Sequence, residues 1–389
     1  LLPGIKDIFF ANLADAANEP LIFADMKIKE IIQAIEQFAP LQYQESYDNA
    51  GLIFGRADVE VTNALLTLDA TEAVIDEAIA TGCNLVIAHH PIVFGGLKKI
   101  NGNTYVERVA IKAIKHDIAV YAAHTNLDNV RNGVCDQMAA KLGLEHTRIL
   151  QPKRGLLKKL FTFVPSADVE TVRAALFKAG AGHIGNYSEC SFNGAGEGTF
   201  KGAEGTDPYV GTPGKRHFEA EIKLEVIFPV YLEGKILQAL LDSHPYEEVA
   251  YDLVSLENAY QQVGSGLIGT LQEAMDELEF LQFVKEQFRT GCVKYTPLRG
   301  RPVKKVALCG GAGSFLLKQA ITAGADAYIS ADFKYHEFFD ADNQLIIADI
   351  GHFESEQFTV ELFYHILTEK FRNFAPLKST IKTNPVNYL

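Results

Sequence analysis

No apolar run in this sequence approaches the ~20 residues that a helix needs to cross a bilayer, which argues against a membrane-spanning helix. An excess of positive charge is also lacking: 36 Lys and Arg against 49 Asp and Glu leave a net charge of -13. General attraction to phosphate backbones requires the opposite sign, so nucleic acid is not expected as a partner. The densest basic cluster, Lys153, Arg154, Lys158 and Lys159, reads as a solvated linker. Cysteine is sparse. Its five occurrences (Cys83, Cys135, Cys190, Cys292, Cys309) form no CxxC pair and are odd in number. A disulfide framework is therefore not expected, and a reducing cytoplasm is. Cys83 and Cys309, in apolar stretches beside strands, read as small core residues.

What is present is the profile of a globular protein, 48% apolar and 22% charged. A chain of 389 residues is too long for one ordinary core, so two or more domains are expected. A clean helical pattern opens at Met26. Residues 1–25 before it lack the basic start and continuous apolar core of a secretory signal, and read as a native extension or an added segment.

From Met26, the spacing of Ile28, Ile31, Ile32 and Ile35 predicts a helix ending before Pro40. Ala64 to Leu68 reads as a buried strand, Ala73 to Ala80 as a helix stopped by Gly82, and Asn84 to Ala88 as a second strand ending in His89-His90-Pro91. Strand, helix and strand at this spacing make a βαβ unit and imply a parallel sheet. The same order recurs from Lys305, at one offset of 242 residues: strand Val306 to Cys309, helix Phe315 to Ala323, stop Gly324, strand Ala327 to Ser330. Each copy continues through a helix into another apolar strand, and each of those ends in a histidine four residues before a carboxylate. These are His124 with Asp128, and His352 with Glu356. A duplicated α/β unit, its halves facing across a pseudo-twofold axis, is the simplest account.

Between the halves, strands at Leu160 to Val164, Ile184 to Phe192, Phe218 to Ile227 and Val249 to Leu256 alternate with helices at Val169 to Lys178 and Tyr231 to Asp242. Gly194 to Lys215 reads as loop. The order βαββαβ predicts an inserted ferredoxin-like α+β domain. The expected division is therefore 26–152 and 261–389 for the two halves of an α/β core, with 153–260 inserted between them.

In parallel α/β sheets, ligands bind beyond the carboxyl ends of the strands, where both copies place their His, Asp and Glu residues. His89 and His90 are expected to converge only if the backbone leaves the strand before them, since adjacent strand side chains point to opposite faces. On a helical turn, His352 and Glu356 share one face, as do His124 and Asp128. Imidazole and carboxylate suit zinc, iron, manganese or cobalt better than calcium or magnesium. The candidate ligands are His89, His90, Asp128, His352 and Glu356. Five donors are many for one open catalytic ion and few for two, unless a carboxylate or water is shared, so a pair of divalent ions with Glu356 as the bridge is expected. His124 reads as a further ligand, as a partner orienting a carboxylate, or as a proton shuttle. Asp332, standing where the first copy has His90, reads as an outer partner or a helix N-cap.

Weaker signals are read structurally. The run Cys309-Gly310-Gly311-Ala312-Gly313-Ser314 matches no phosphate-binding pattern and reads as a tight turn with close backbone packing. Asp48-Asn49-Ala50-Gly51 and Arg56 look like a turn before a strand, with Asn49 within conceivable reach of a substrate. His244-Pro245-Tyr246-Glu247-Glu248 reads as a turn into the last strand of the insertion.

The segments Ile87-Ala88-His89-His90-Pro91, Ala123-His124-Thr125-Asn126-Leu127-Asp128 and Asp349-Ile350-Gly351-His352-Phe353-Glu354-Ser355-Glu356 resemble the motifs of the Nif-three-like dinuclear metal-centre family. Many members of that family carry the label GTP cyclohydrolase I type two homologue. The resemblance runs from about Met26 to the end of the chain. It includes Gly180 to Tyr187 and His244 to Glu248, which look like the longer bacterial form, whose insertion is similar to trimer-forming signalling proteins of the PII and copper-tolerance type. It implies the same five ligands, a homohexamer built as a trimer of dimers around a central cavity, and a nucleotide or related small molecule as ligand. Two functions follow as expectations. One is a metal-dependent hydrolase, with purine C8 of a guanine nucleotide as the target if it is a cyclohydrolase. The other is a regulatory protein whose insertion senses a metabolite or mediates assembly.

Overall fold

The computed structural model describes residues 26–389, so the reading of residues 1–25 lies outside what is described. The chain opens with α1 (Ile28–Phe38), which buries Ile28, Ile31, Ile32 and Ile35 as their spacing requires. Edge strand β1 (Gly51–Phe54) follows, then β2 (Ala64–Asp69), α2 (Glu72–Thr81), β3 (Leu85–His90), α3 (Tyr105–Lys115) and β4 (Ala119–Ala122). The Thr71 hydroxyl accepts from the Val74 amide and starts α2, and Gly82 ends it. β2, β3 and β4 are parallel, and β1 pairs antiparallel with β4. Both faces of this sheet are covered, which explains its unbroken apolar strands. Ile87 and Leu85 pack towards α1, while Val86 and Ala88 pack towards α2 and α3. The short α4 (Thr125–Asp128) and then α5 (Val134–Lys141) complete the first unit.

β5 (Glu145–Lys153) leads into the insertion. There β6 (Leu157–Pro165), α6 (Val169–Ala179), β7 (Ser191–Phe200), β8 (His217–Pro229), α7 (Glu233–Ser243) and β9 (Tyr251–Leu256) follow the order read from the sequence. They form a four-stranded antiparallel sheet, β7-β8-β6-β9, with both helices on one face. One strand is displaced from its predicted place. Residues 184–190 turn back on themselves through an Ile184–Tyr187 bridge, and the strand runs instead through Gly194, Gly196 and Gly198. Those glycines suggested loop because they have little intrinsic strand preference. Ten consecutive pairings with β8 hold them extended at a sheet edge.

The second unit comprises β10 (Tyr260–Met275), α8 (Glu277–Gln287), β11 (Lys294–Tyr295), β12 (Val303–Ala312), α9 (Leu317–Thr322), β13 (Ala327–Ala331), β14 (Ile346–Asp349), α10 (His352–Glu356), α11 (Thr359–Lys370) and β15 (Leu377–Lys378). β12, β13 and β14 are parallel with β11 antiparallel on β14, repeating the arrangement of β1 to β4. The shorter link between β13 and β14 holds a 3₁₀ turn, Tyr335–Ala341, where the first unit has α3. The halves are interlocked. α5 of the first unit packs beneath the second sheet through Met138 and Ala139, and α11 of the second packs on the first sheet through Phe363 and Leu367. β15 also joins the first sheet beside β2. Burying each such Leu, Phe or Met contributes about 1.5–3 kcal/mol, so the exchange ties the halves firmly. All five cysteines are free, and among the described residues no helix is long and apolar enough to cross a membrane.

Candidate metal centre

The carboxyl ends of the two parallel sheets meet, and every candidate metal ligand stands there. His89 and His90 end β3, Asp128 ends α4, and α10 carries His352 and Glu356 on successive turns. The expectation that the backbone leaves the strand before His89 is corrected, because β3 runs through His90, paired in register with Asp69. The two rings nevertheless stand 4.9 Å apart, centroid to centroid.

Glu356 is the hub. Its Oε2 lies 3.0 Å from His90 Nε2 and 3.1 Å from His352 Nε2, and those two nitrogens are 3.3 Å apart. Its Oε1 faces the other way, 3.9 Å from His89 Nε2, which lies 3.5 Å from Asp128 Oδ1. Two triads that could each hold a cation, His90–His352–Glu356 and His89–Asp128–Glu356, thus share one carboxylate. His124 forms a third grouping with His89 and His90, its ring 5.3 and 5.4 Å from theirs.

Each histidine is oriented from behind. His89 Nδ1 donates to the Ala123 carbonyl at 2.8 Å, His90 Nδ1 to Asp69 at 2.8 Å, His124 Nδ1 to Asp48 at 2.8 Å and His352 Nδ1 to Asp332 at 2.6 Å. A ring that donates from Nδ1 keeps its Nε2 lone pair free, which is the tautomer a cation needs. Of the alternatives for Asp332, the outer partner is realised, since Lys334 rather than Asp332 begins the following turn. Asp69 was missed and Asp48 was read only as a turn residue. The available signal was Asp69's place at the end of a buried strand beside the one ending in histidines.

The electrostatics fit a cluster awaiting positive charge. Burial opposes the charged form of His90, yet hydrogen bonds with Asp69 and Glu356 raise its pKa to about 9. Burial is likewise outweighed at His352, where Asp332 and Glu356 raise it to about 11. Asp128 is pushed up to about 7 by burial and then by the Glu356 charge. Glu356 is itself buried, but the bonds from His352 and His90 and the nearby His89 ring hold it well below the carboxylate range. Two atoms remain unanswered: His89 Nε2 and Asp128 Oδ1 are buried with no hydrogen-bond partner among the described residues. Leaving such groups bare costs about 1–3 kcal/mol each, more if charged. A cation beside them would satisfy both, so the residues present fit a bound metal.

The Gly310–Gly311 run explains the close packing expected of it, though as part of β12 rather than a turn. Gly311 has φ +59°, and a Cβ there would sit 2.4 Å from Glu356 Oε1. Around the centre lies a cleft of about 870 Å³ whose walls include the exposed rings of Tyr47, Phe94 and Phe315, with Lys294 at its rim. Asn49 is not brought to it, since its amide donates to the Val93 carbonyl at 2.7 Å, and Arg56 pairs with Asp58 outside it. His244 spends one ring nitrogen on the Phe163 carbonyl and the other on the Tyr246 amide, in keeping with a turn. A strap formed by residues 379–384 closes one side. Ser379 and Thr380 bond Glu77 on α2, Thr383 donates to Asp69 at 2.6 Å, and Asn384 donates to Glu354 on α10 at 3.0 Å.

A family model described as Duf34/NIF3 (NGG1p interacting factor 3) matches residues 26–385. A Halalkalibacterium halodurans protein named "GTP cyclohydrolase 1 type 2 homolog" is 40% identical over 364 residues, 92% of this chain and 98% of that one. A Bacillus subtilis protein of the same name is 43% identical over 327 residues, 84% of this chain and 88% of its own. Among solved structures, a Bacillus cereus protein related to NIF3 superposes with a TM-score of 0.83 at 38% identity, covering 94% of this chain and 99% of that chain. A Staphylococcus aureus protein superposes with 0.74 at 28% identity, with the same coverage. By the match along nearly its whole described length, the chain belongs to the Duf34/NIF3 family.

Proposed function

We propose that the protein is a dinuclear metal-dependent hydrolase resembling the GTP cyclohydrolase 1 type 2 homologs, acting on a nucleotide or related small molecule. His89, His90, Asp128, His352 and Glu356 hold two divalent ions drawn from zinc, iron, manganese and cobalt. The observation that carries the reading is Glu356, a buried carboxylate with one oxygen turned to each triad, beside His89 Nε2 and Asp128 Oδ1 that no group among the described residues satisfies.

When bound, two such cations supply Lewis acidity towards a carbonyl or phosphoryl oxygen and make water acidic enough to act near neutral pH. The chain's own residues do the rest. His124 handles the proton. Asp48 resists burial through bonds from His124 and Thr125 that hold its pKa near 2, so it stays ionised and fixes the ring by Nδ1. Tyr47, Phe94 and Phe315 offer flat apolar surface to a planar ring, while Lys294 at the rim is paired with Asp349 at 2.6 Å. In the same reading, residues 153–260 are an inserted ferredoxin-like domain within a core of residues 26–152 and 261–389, and the protein is a cytoplasmic homohexamer.

The test is elemental analysis of untagged protein, coupled to turnover of GTP, other nucleotides and cyclic phosphodiesters with and without added metal. Two ions per chain and metal-dependent turnover are expected, with Glu356→Gln losing at least one ion. One ion or none in the wild type, or turnover that ignores chelation, refutes the proposal.

A further inference from the structure

The inserted domain has a second cleft, of about 760 Å³, on the face of its sheet away from α6 and α7. Its floor follows from the pleat. On β7 the residues facing this side are Phe192, Gly194, Gly196, Gly198 and Phe200, paired in turn with Glu225, Lys223, Glu221, Glu219 and His217 of β8. Three glycines in alternation leave a trough with no side chains, between the rings of Phe192 and Phe200.

Into that trough lies Glu221, only 9% exposed. An added Cβ on Gly198 would stand 2.0 Å from Glu221 Oε2, so the glycine makes room for the carboxylate. Its hydrogen-bond donor is the Tyr246 hydroxyl, at 2.7 Å to Oε1. Among the described residues no cationic side chain pairs with Glu221, for the nearby Lys223 is turned to Glu225 at 3.1 Å. Burying a carboxylate with one neutral donor is costly, and a positive charge is what offsets it.

The rest of the wall is aromatic. Tyr246 stands 6.0 Å from Phe200 and 6.3 Å from Tyr209, ring centre to ring centre. Phe163 lines the cleft from β6, and Glu247 and Glu248 stand at its edge. The turn is braced, since His244 holds both the Tyr246 amide and the Phe163 carbonyl, and Glu247 accepts from the Asp207 amide at 3.2 Å. A buried carboxylate in a cleft walled by several aromatic rings is the chemistry that recognises an alkylammonium group.

We propose that this cleft is a second, separate ligand site, taking a small organic cation whose ammonium group lies against Glu221 within the rings of Phe200, Tyr209 and Tyr246. The site owes nothing to the metal centre, and it gives the inserted domain a ligand chemistry of its own.

Choline and its neutral isostere 3,3-dimethylbutan-1-ol separate charge from shape. Titration of the full-length protein, followed by ligand-observed NMR and calorimetry, is expected to show saturable choline binding with the isostere at least tenfold weaker. Glu221→Gln should weaken choline by tenfold or more. Tyr246→Phe, which keeps the ring and removes the hydroxyl, should change it by less than about threefold. Circular dichroism and metal content check that each variant folds, and Phe200→Leu gives an independent variant should Glu221→Gln fail to. Equal binding of choline and isostere, no saturable binding of choline, or unchanged affinity in folded Glu221→Gln or Phe200→Leu overturns the proposal. Occupation of the cleft by a second copy of the chain would appear as choline binding only in a dissociated form, and this also overturns it.

Discussion

Replacing Gly311 with alanine is the sharpest probe of the metal centre, because it adds one methyl group and removes no donor. Gly311 sits in the left-handed region at φ +59°, where a side chain costs about 1–2 kcal/mol. The larger effect is local. The new Cβ would lie 2.4 Å from Glu356 Oε1 and 3.3 Å from His352 Nε2. Glu356 cannot swing aside freely, being buried and held by contacts to His90 and His352 through its other oxygen. Its carboxylate must therefore turn as a whole, and the oxygen displaced is the one facing His89 and Asp128. Disturbing groups that merely orient ligands already costs about 10–100-fold in metal affinity, so at least that loss is expected here. Because the carboxylate is common to both triads, both cations should weaken, the one at His89–Asp128–Glu356 most. Competitive titration against a chelator of known affinity, with elemental analysis after dialysis, reads both numbers. If Gly311→Ala keeps two ions within about threefold of wild-type affinity, Glu356 is not the shared ligand and the two-triad arrangement is wrong.

The metal-free cluster should also respond to pH with a definite sign. His90 is raised from 6.5 to about 9, so its contribution to stability is full below about 6.5 and lost as pH rises through 9. Asp128, raised from 3.8 to about 7, adds a penalty over the lower part of the same range. Chelated protein should thus melt at progressively lower temperature from pH 6 to 9, while metal-loaded protein, its protons replaced by cations, should change much less; a chelated melting point that holds or climbs counts against the ion-pair reading. His124→Gln is expected to keep both cations and lose about 10²–10⁴ in turnover, whereas loss of a cation would make His124 a ligand instead. Thr383→Val removes the strap's bond to Asp69 and should weaken one cation several-fold in a chelator titration without altering the circular dichroism spectrum.

The core was legible because burial writes itself into composition. Strands covered on both faces must be continuously apolar, and polar residues at their ends, such as His89 and His90, then stand out. The repeat added the second half of the centre. What escaped notice depended on contacts distant in sequence. Asp48 reaches His124 from 76 residues away, and nothing in a turn-like Asp-Asn-Ala-Gly distinguishes an outer partner from an ordinary turn. Gly311 looked like any glycine after a strand until Glu356 was placed against it. β7 escaped for the opposite reason, since its glycines hide a strand that only the β8 ladder reveals.

The shared carboxylate has a consequence for how the centre is assembled. Glu356 is 266 residues downstream of His90. At about 5–20 residues per second, a ribosome needs on the order of 15–50 s to travel between them, with the inserted domain made on the way. Throughout that interval the first half offers its histidines without the carboxylate that joins the two triads. On the proposed function, loading with both ions would therefore be a late event in biosynthesis, because the first half alone lacks the carboxylate that completes either triad.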